Sequence, residues 1–281
     1  MKKILLILCV SLLCSCGTKE LSSDQLVERQ GIYYEINSEV PFTGRVIDTN
    51  DKGQIESTVS YKDGKLHGPS ESYHWNGQLE SKISYKDGKL NGLWESYLEN
   101  GQLKSKRSFK DGERDGPWES YYENGQLQFN GQLKSKRNYK DGNQIGPTEK
   151  YYYHENGQLM SKMNYKDGKE DGPWESYFEN GQLQFKGSFK DGKEDGPEES
   201  YYENGQLWLK KSFKDGELNG PLESYYENGQ LQFKGSFKDG ERDGPYETYY
   251  ENGQLRTKGS YKDGKQQGIF ELYDENGQEI P

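Results

Sequence analysis

The sequence predicts an all-β protein, an elongated single-layer antiparallel β-meander or solenoid of tandem hairpins. Three observations carry that reading. A 24-residue unit recurs about ten times, and its clearest copies, residues 180–203 and 228–251, differ at only four positions. Each unit holds two hairpin signals, Asn-Gly and Asp-Gly, set between short alternating runs. The composition disfavours helix and favours a pleated, half-buried surface, since the chain contains no alanine and has 23 tyrosines in 281 residues.

Taken in order, Lys2 and Lys3 precede the apolar run 4–13, which leads into Leu13-Cys14-Ser15-Cys16. This pattern resembles a bacterial lipoprotein signal with its lipobox over residues 1–15. The resemblance implies cleavage before Cys16, lipidation of its sulfur and attachment to the membrane through the acyl chains. With Gly17 rather than Asp after the cysteine, it further implies a cell-envelope location at the outer membrane. Cys9 and Cys14 leave with the signal, so the mature chain has no thiol for a disulfide. No other segment is apolar enough to cross a membrane as a helix.

Residues 16–31 are polar, carry no sustained period of two and are expected to form the lipidated cysteine and a tether. Residues 32–43 are β-rich and are expected to cap the first repeat, with Phe42 packed there. The repeat array occupies residues 44–281, with frame glycines at Gly44, Gly68, Gly92, Gly116, Gly146, Gly172, Gly196, Gly220, Gly244 and Gly268. Two intervals are long. The one from Gly116 to Gly146 gains six residues through an extra Asn124-Gly125-Gln126-Leu127-Gln128-Phe129, and the next gains two around Tyr151-Tyr152-Tyr153-His154.

If both turns are two-residue type I′ hairpins, Tyr202 faces Leu207, Phe185 faces Glu198 and Leu183 faces Ser200. That register sorts the side chains, because alternate residues point to opposite faces. One face is apolar and receives Trp94, Trp118 and Trp174 together with Phe185, Phe189, Phe233 and Phe237. The other is wet and carries a Glu-x-Tyr row whose tyrosines, Tyr97, Tyr121, Tyr177, Tyr201, Tyr225 and Tyr249, form a candidate binding face. Both insertions are even in length, so the faces should survive them. The prolines that follow the frame glycines, such as Pro117 and Pro197, are expected at strand starts, where a missing N–H is tolerated.

Only 30% of residues are hydrophobic, which a repeat array tolerates because each unit packs against its neighbours alone. The formal charge is −10, and removing Lys2 and Lys3 leaves 35 basic against 47 acidic residues, or −12. That balance opposes nucleic-acid binding, which needs a basic stripe.

The run Tyr61-Lys62-Asp63-Gly64-Lys65-Leu66-His67-Gly68, followed by an aromatic strand and Trp75-Asn76-Gly77, resembles the MORN repeat in its bacterial variant form. The resemblance covers about residues 44–277 and implies a long antiparallel sheet of successive hairpins. Eukaryotic MORN arrays are associated with protein scaffolding and phospholipid contact, and bacterial variants are labelled antitoxin-like. The 24-residue period, the Gly-Pro motif and the acidic balance depart from the eukaryotic pattern and weigh against direct headgroup binding.

No catalytic constellation stands out. His67, His74 and His154 are scattered turn or strand residues, and no metal or cofactor site is expected from the Cys, His or carboxylate spacing. The carboxylates repeat in nearly every unit and define no single asymmetric acid–base pair. The expected function is therefore non-catalytic: a lipid-anchored envelope scaffold with an unidentified protein partner. A glycan-binding module using the tyrosine row and an antitoxin-like or immunity lipoprotein are the alternatives. The apolar face exceeds what a monomer usually leaves exposed, so self-coverage, self-association or a partner is expected there.

Overall fold

The structure, a computed structural model, describes residues 18–122 and 132–280. The signal 1–15, Cys16 and the insertion Asn124–Phe129 lie outside the described residues. The chain divides into two units, Met1–Leu93 and Trp94–Pro281.

In the N-terminal unit, Gly44–Thr49, Ile55–Lys62, Lys65–Tyr73 and Leu79–Lys86 pair antiparallel in chain order. Glu20–Leu21 runs parallel to the first of them, Glu20 beside Arg45 and Leu21 beside Val46. Leu26–Arg29 and Ile32–Glu35 form a separate hairpin. The stretch expected to be a tether is thus folded from Glu20 onward. Its pairing rests on backbone bonds, such as Arg45 N–H donating to Lys19 C=O at 2.8 Å, which leave no apolar period in the sequence.

Within residues 32–43, Ile32–Glu35 is a strand. Phe42 and Val46, only 4% and 3% exposed, are the buried apolar side chains of this unit. A three-way exchange of backbone bonds locks the cap to the first Asp-Gly turn: Phe42 N–H to Tyr33 C=O, Tyr33 N–H to Gly64 C=O and Gly64 N–H to Phe42 C=O, each 2.8 Å.

In the C-terminal unit, strands from Leu103–Lys110 to Lys265–Tyr273 each pair antiparallel with the next in chain order, closed by Glu279–Ile280. The Asp-Gly turns are the two-residue hairpins expected. Asp191 and Gly192 have φ of +51° and +84°, and Lys190 pairs with Lys193 across them.

The Asn-Gly turns differ from expectation. Among the described residues only their glycines take positive φ, and the loop holds three residues. Tyr202 N–H donates to Gln206 C=O at 2.8 Å and Gly205 N–H to Tyr202 C=O at 2.9 Å, a type I turn closed by a glycine bulge. Tyr201, not Tyr202, therefore faces Leu207. The Asn side chain explains the choice, since Asn204 Oδ1 accepts the Gln206 N–H at 2.9 Å and stabilises the wider loop.

A second shift sits at Gly-Pro. Gly196 takes φ of +101°, and the pairing with the preceding strand skips two residues, so Phe185 faces Ser200 rather than Glu198, and Lys186 faces Glu199. Proline thus lies in a bulge, inside a continuous strand in copies such as Glu113–Tyr121, and not only at a strand start. Its missing N–H falls on the side where the ladder is already interrupted, while its other side pairs, Pro197 opposite Ser212. A shift of two leaves face assignment unchanged, which is why the sorting of side chains survives the change of register.

Candidate functional site

The wet face is built from one triad repeated along the array. Each Glu-x-Tyr pair places its phenol over its own carboxylate: Tyr97 donates to Glu95 at 3.2 Å, Tyr121 to Glu119 at 3.0 Å, Tyr177 to Glu175 at 2.7 Å, Tyr225 to Glu223 at 2.9 Å and Tyr249 to Glu247 at 2.7 Å, and Tyr201 donates to Glu199. A lysine from a neighbouring strand completes several triads, including Lys106 with Glu95 at 3.7 Å, Lys186 with Glu199 at 2.6 Å and Lys234 with Glu223 at 3.5 Å. Glu149, Tyr151 and Lys162 repeat the arrangement beyond the first insertion and across the second, as their even length requires.

These tyrosines are half-buried, not free platforms. Burial, and then the neighbouring carboxylate, push the phenols of Tyr121, Tyr177, Tyr225 and Tyr249 up to about 12. Lys186 and Tyr201 hold the Glu199 carboxyl below its usual range. The face therefore presents a regular lattice of paired charge whose phenol oxygens are already engaged.

The other face carries the expected aromatic row. Trp174 lies 4.4 Å from Phe185 and 5.6 Å from Phe189, Trp118 lies 5.6 Å from Tyr139, and Phe233 packs on Tyr246 at 5.2 Å. Phe237 faces Gly220 across the ladder. Glycines two residues along the same strand make room for several of these rings. A Cβ on Gly187 would fall 2.9 Å from Phe185 Cζ, and one on Gly235 would fall 2.6 Å from Phe233 Cζ.

Cations intrude on this face in a way that the repeat pattern does not announce. Arg107 is stacked between Trp94 and Trp118, at 5.1 and 4.6 Å, and Arg114 lies over Trp118 at 4.3 Å. Glu198 takes the place of the row's tryptophan and is 3% exposed, with Lys211 across the ladder at 3.0 Å. The signal lies in the alignment of units, where Trp174 and Gly187 become Glu198 and Lys211 one unit later. Tyrosine also ties units together: Tyr202, Tyr226 and Tyr250 donate to the carbonyls of Tyr225, Tyr249 and Tyr273 at 2.8 to 2.9 Å. His154 takes the same role, with Nε2 2.7 Å from the Tyr177 carbonyl oxygen, so it is not simply solvated.

Comparison with known proteins follows this geometry. The model of a family described as MORN repeat variant matches residues 66–87, 90–111, 114–129, 149–167, 170–191, 194–215, 218–239 and 242–263. Among solved structures, the chain is similar to TcdB2-TccC3 at 13% identity and a TM-score of 0.28, over 82% of this chain and 14% of that one. It is similar to TcdB2-TccC3-Cdc42 at 14% identity and a TM-score of 0.28, with the same coverage. For a Photorhabdus luminescens Tc holotoxin pore the values are 13% and 0.26, over 82% and 14%. The chain thus spans a small part of each of these, and no curated relative matches it.

Proposed function

The chain belongs to the MORN repeat variant family, and on that premise we propose that it is a lipid-anchored, non-catalytic scaffold of the cell envelope that binds protein. The observation that carries this reading is the Glu–Tyr–Lys triad, repeated on one face at the 24-residue period of the sequence. Repetition suits an extended interface made of many equivalent weak contacts, whereas acid–base chemistry calls for one asymmetric pair. Family membership favours the same repeat-scaffold or binding role.

Anchoring rests on the lipobox ending in Cys16, and its Gly17 favours the outer membrane. The tyrosine face and the aromatic face are both candidate surfaces for the protein partner, and the aromatic face is also available for self-association. The glycan alternative is weaker, because stacking on sugars wants open rings and these phenols are half-buried and committed to carboxylates.

The deciding experiment compares the natural chain with Cys16→Ser in its own cells. The natural chain should fractionate with membranes and the variant should not. Capture of the variant from detergent-solubilised envelope should recover a stoichiometric protein partner. Recovery of the bait with glycan fragments alone, or a hydrolytic activity abolished by one point change, would overturn the reading.

A further inference from the structure

The aromatic row has a gap between Trp118 and Trp174. In the Gly-Pro-Trp position held by Trp118 and Trp174, the intervening unit places Thr148, after Gly146 and Pro147. An open groove of about 880 Å3 lies against Thr148 and is lined also by Arg137, Lys150, Asn164 and Tyr165. A smaller space of about 200 Å3 adjoins it and shares Arg137, Thr148 and Lys150.

The residues around the vacancy differ from their counterparts in a consistent way. Arg107 has an indole on each side. Arg137 holds the same place one hairpin later, opposite Trp118, but Thr148 stands where its second indole would be. Arg137 is exposed, and among the described residues it has neither an ion pair nor a ring partner. Lys150 sits over the Tyr165 ring at 3.9 Å and has no carboxylate partner among the described residues, whereas the wet-face lysines of the triads each have one. Asp167 and Asp171 lie at the end of the groove formed by the Asp167-Gly168 turn.

We propose that this groove receives an extended polypeptide segment of the protein partner carrying an aromatic side chain next to a carboxylate. The inference rests on the protein-binding reading above and gives it a location. The ring takes the place of the missing tryptophan and stacks on the Arg137 guanidinium. The carboxylate meets Arg137 and Lys150, two cations that no described acid neutralises.

The test titrates the full chain, in mild detergent, into labelled peptides Gly-Trp-Glu-Gly and Gly-Trp-Lys-Gly and reads fluorescence anisotropy. The acidic peptide should bind at least about tenfold more tightly than its basic counterpart, and Arg137→Gln and Lys150→Gln should each weaken it by about tenfold. Thr148→Trp should fill the vacancy and abolish binding with no loss of thermal stability, which separates occlusion from misfolding. Equal binding of the two peptides, undiminished binding to the Thr148→Trp chain, or equally tight binding of free indoleacetate would overturn the proposal. If the Thr148→Trp chain still captures its envelope partner, the groove inference fails while the scaffold reading stands.

Discussion

Glu198 and Lys211 face each other directly across the ladder, Oε2 to Nζ 3.0 Å, in a position where four other units pair a large apolar residue with a small or stackable one. The equivalent pairs are Trp118 with Arg137, Trp174 with Gly187, Leu222 with Gly235 and Tyr246 with Gly259. Both partners change together, so the lysine fills the volume the glycine would leave and its ammonium lies over the Phe213 ring at 4.5 Å. The carboxylate is paired by charge yet lacks a well-aligned hydrogen bond.

Burial, with the Glu194 carboxylate adding to it, raises the Glu198 carboxyl above its ordinary range despite Lys211. A raised value in the folded state means that the protonated acid contributes stability fully present below 4.5, lost as pH rises through the folded value. Lys211→Met should therefore destabilise the chain by about 2–3 kcal/mol at neutral pH, with most of the loss recovered on acidification below the carboxyl's range. Glu198→Leu with Lys211→Gly recreates the Leu222–Gly235 pair and should be at least as stable as the parent. Urea melts at neutral and acid pH check both. A Lys211→Met chain equal to the parent at neutral pH contradicts the account.

The glycines beside the rings lead to a steric prediction. Gly235 is extended and could accept alanine on backbone grounds, but its new Cβ would meet Phe233 Cζ at 2.6 Å. Gly235→Ala should cost about 1–3 kcal/mol by driving Phe233 off its rotamer. Adding Phe233→Leu should return part of that, and a thermal melt of the single and double variants reads the coupling. Additive losses would show that the two sites do not share the space.

How much of this is legible in the sequence depends on what each residue encodes. Asp-Gly specifies a backbone shape, and its two-residue turn follows from the dipeptide alone. Asn-Gly carries the same glycine, but the Asn side chain accepts a backbone N–H two residues on, as Asn204 does from Gln206, and that bond favours the three-residue loop. The Gly-Pro bulge is hidden because a shift of two preserves parity, so Phe185 and Trp174 share one face under either register. Glu198, Arg107 and Thr148 are hard to read because the repeat draws attention to what recurs, and their meaning lies in departing from it. The strand inside the expected tether, Glu20 and Leu21, is invisible in the sequence because two residues of parallel pairing leave no period to detect.

The tyrosine-to-carbonyl ladder has a natural gap that can be filled. Tyr202 and Tyr226 donate to the next unit's tyrosine carbonyl, but Phe178 holds the equivalent place and has no hydroxyl to offer Tyr201. Tyr226→Phe should lose about 1 kcal/mol, and Phe178→Tyr should gain a similar or smaller amount. Equilibrium denaturation of the two variants checks the opposite signs. A loss in both would mean that the ladder is incidental to packing.

The wet-face tyrosines predict how the array fails in alkali. The phenols of Tyr121, Tyr177, Tyr225 and Tyr249 are raised from 10.0 to about 12, by burial first and then by the carboxylates they bond. Because the folded value is the higher one, their stabilisation is complete below 10.0 and is lost as pH rises through about 12. A spectrophotometric titration should therefore show these tyrosines ionising late, together with loss of the strand signal in circular dichroism. Glu223→Gln removes the negative charge beside Tyr225 and should bring that phenol's titration down toward the ordinary range while the other three stay high. If every tyrosine ionised near its ordinary value with the strands intact, the hydroxyls would be free. The wet face would then be the open aromatic surface that sugar stacking requires.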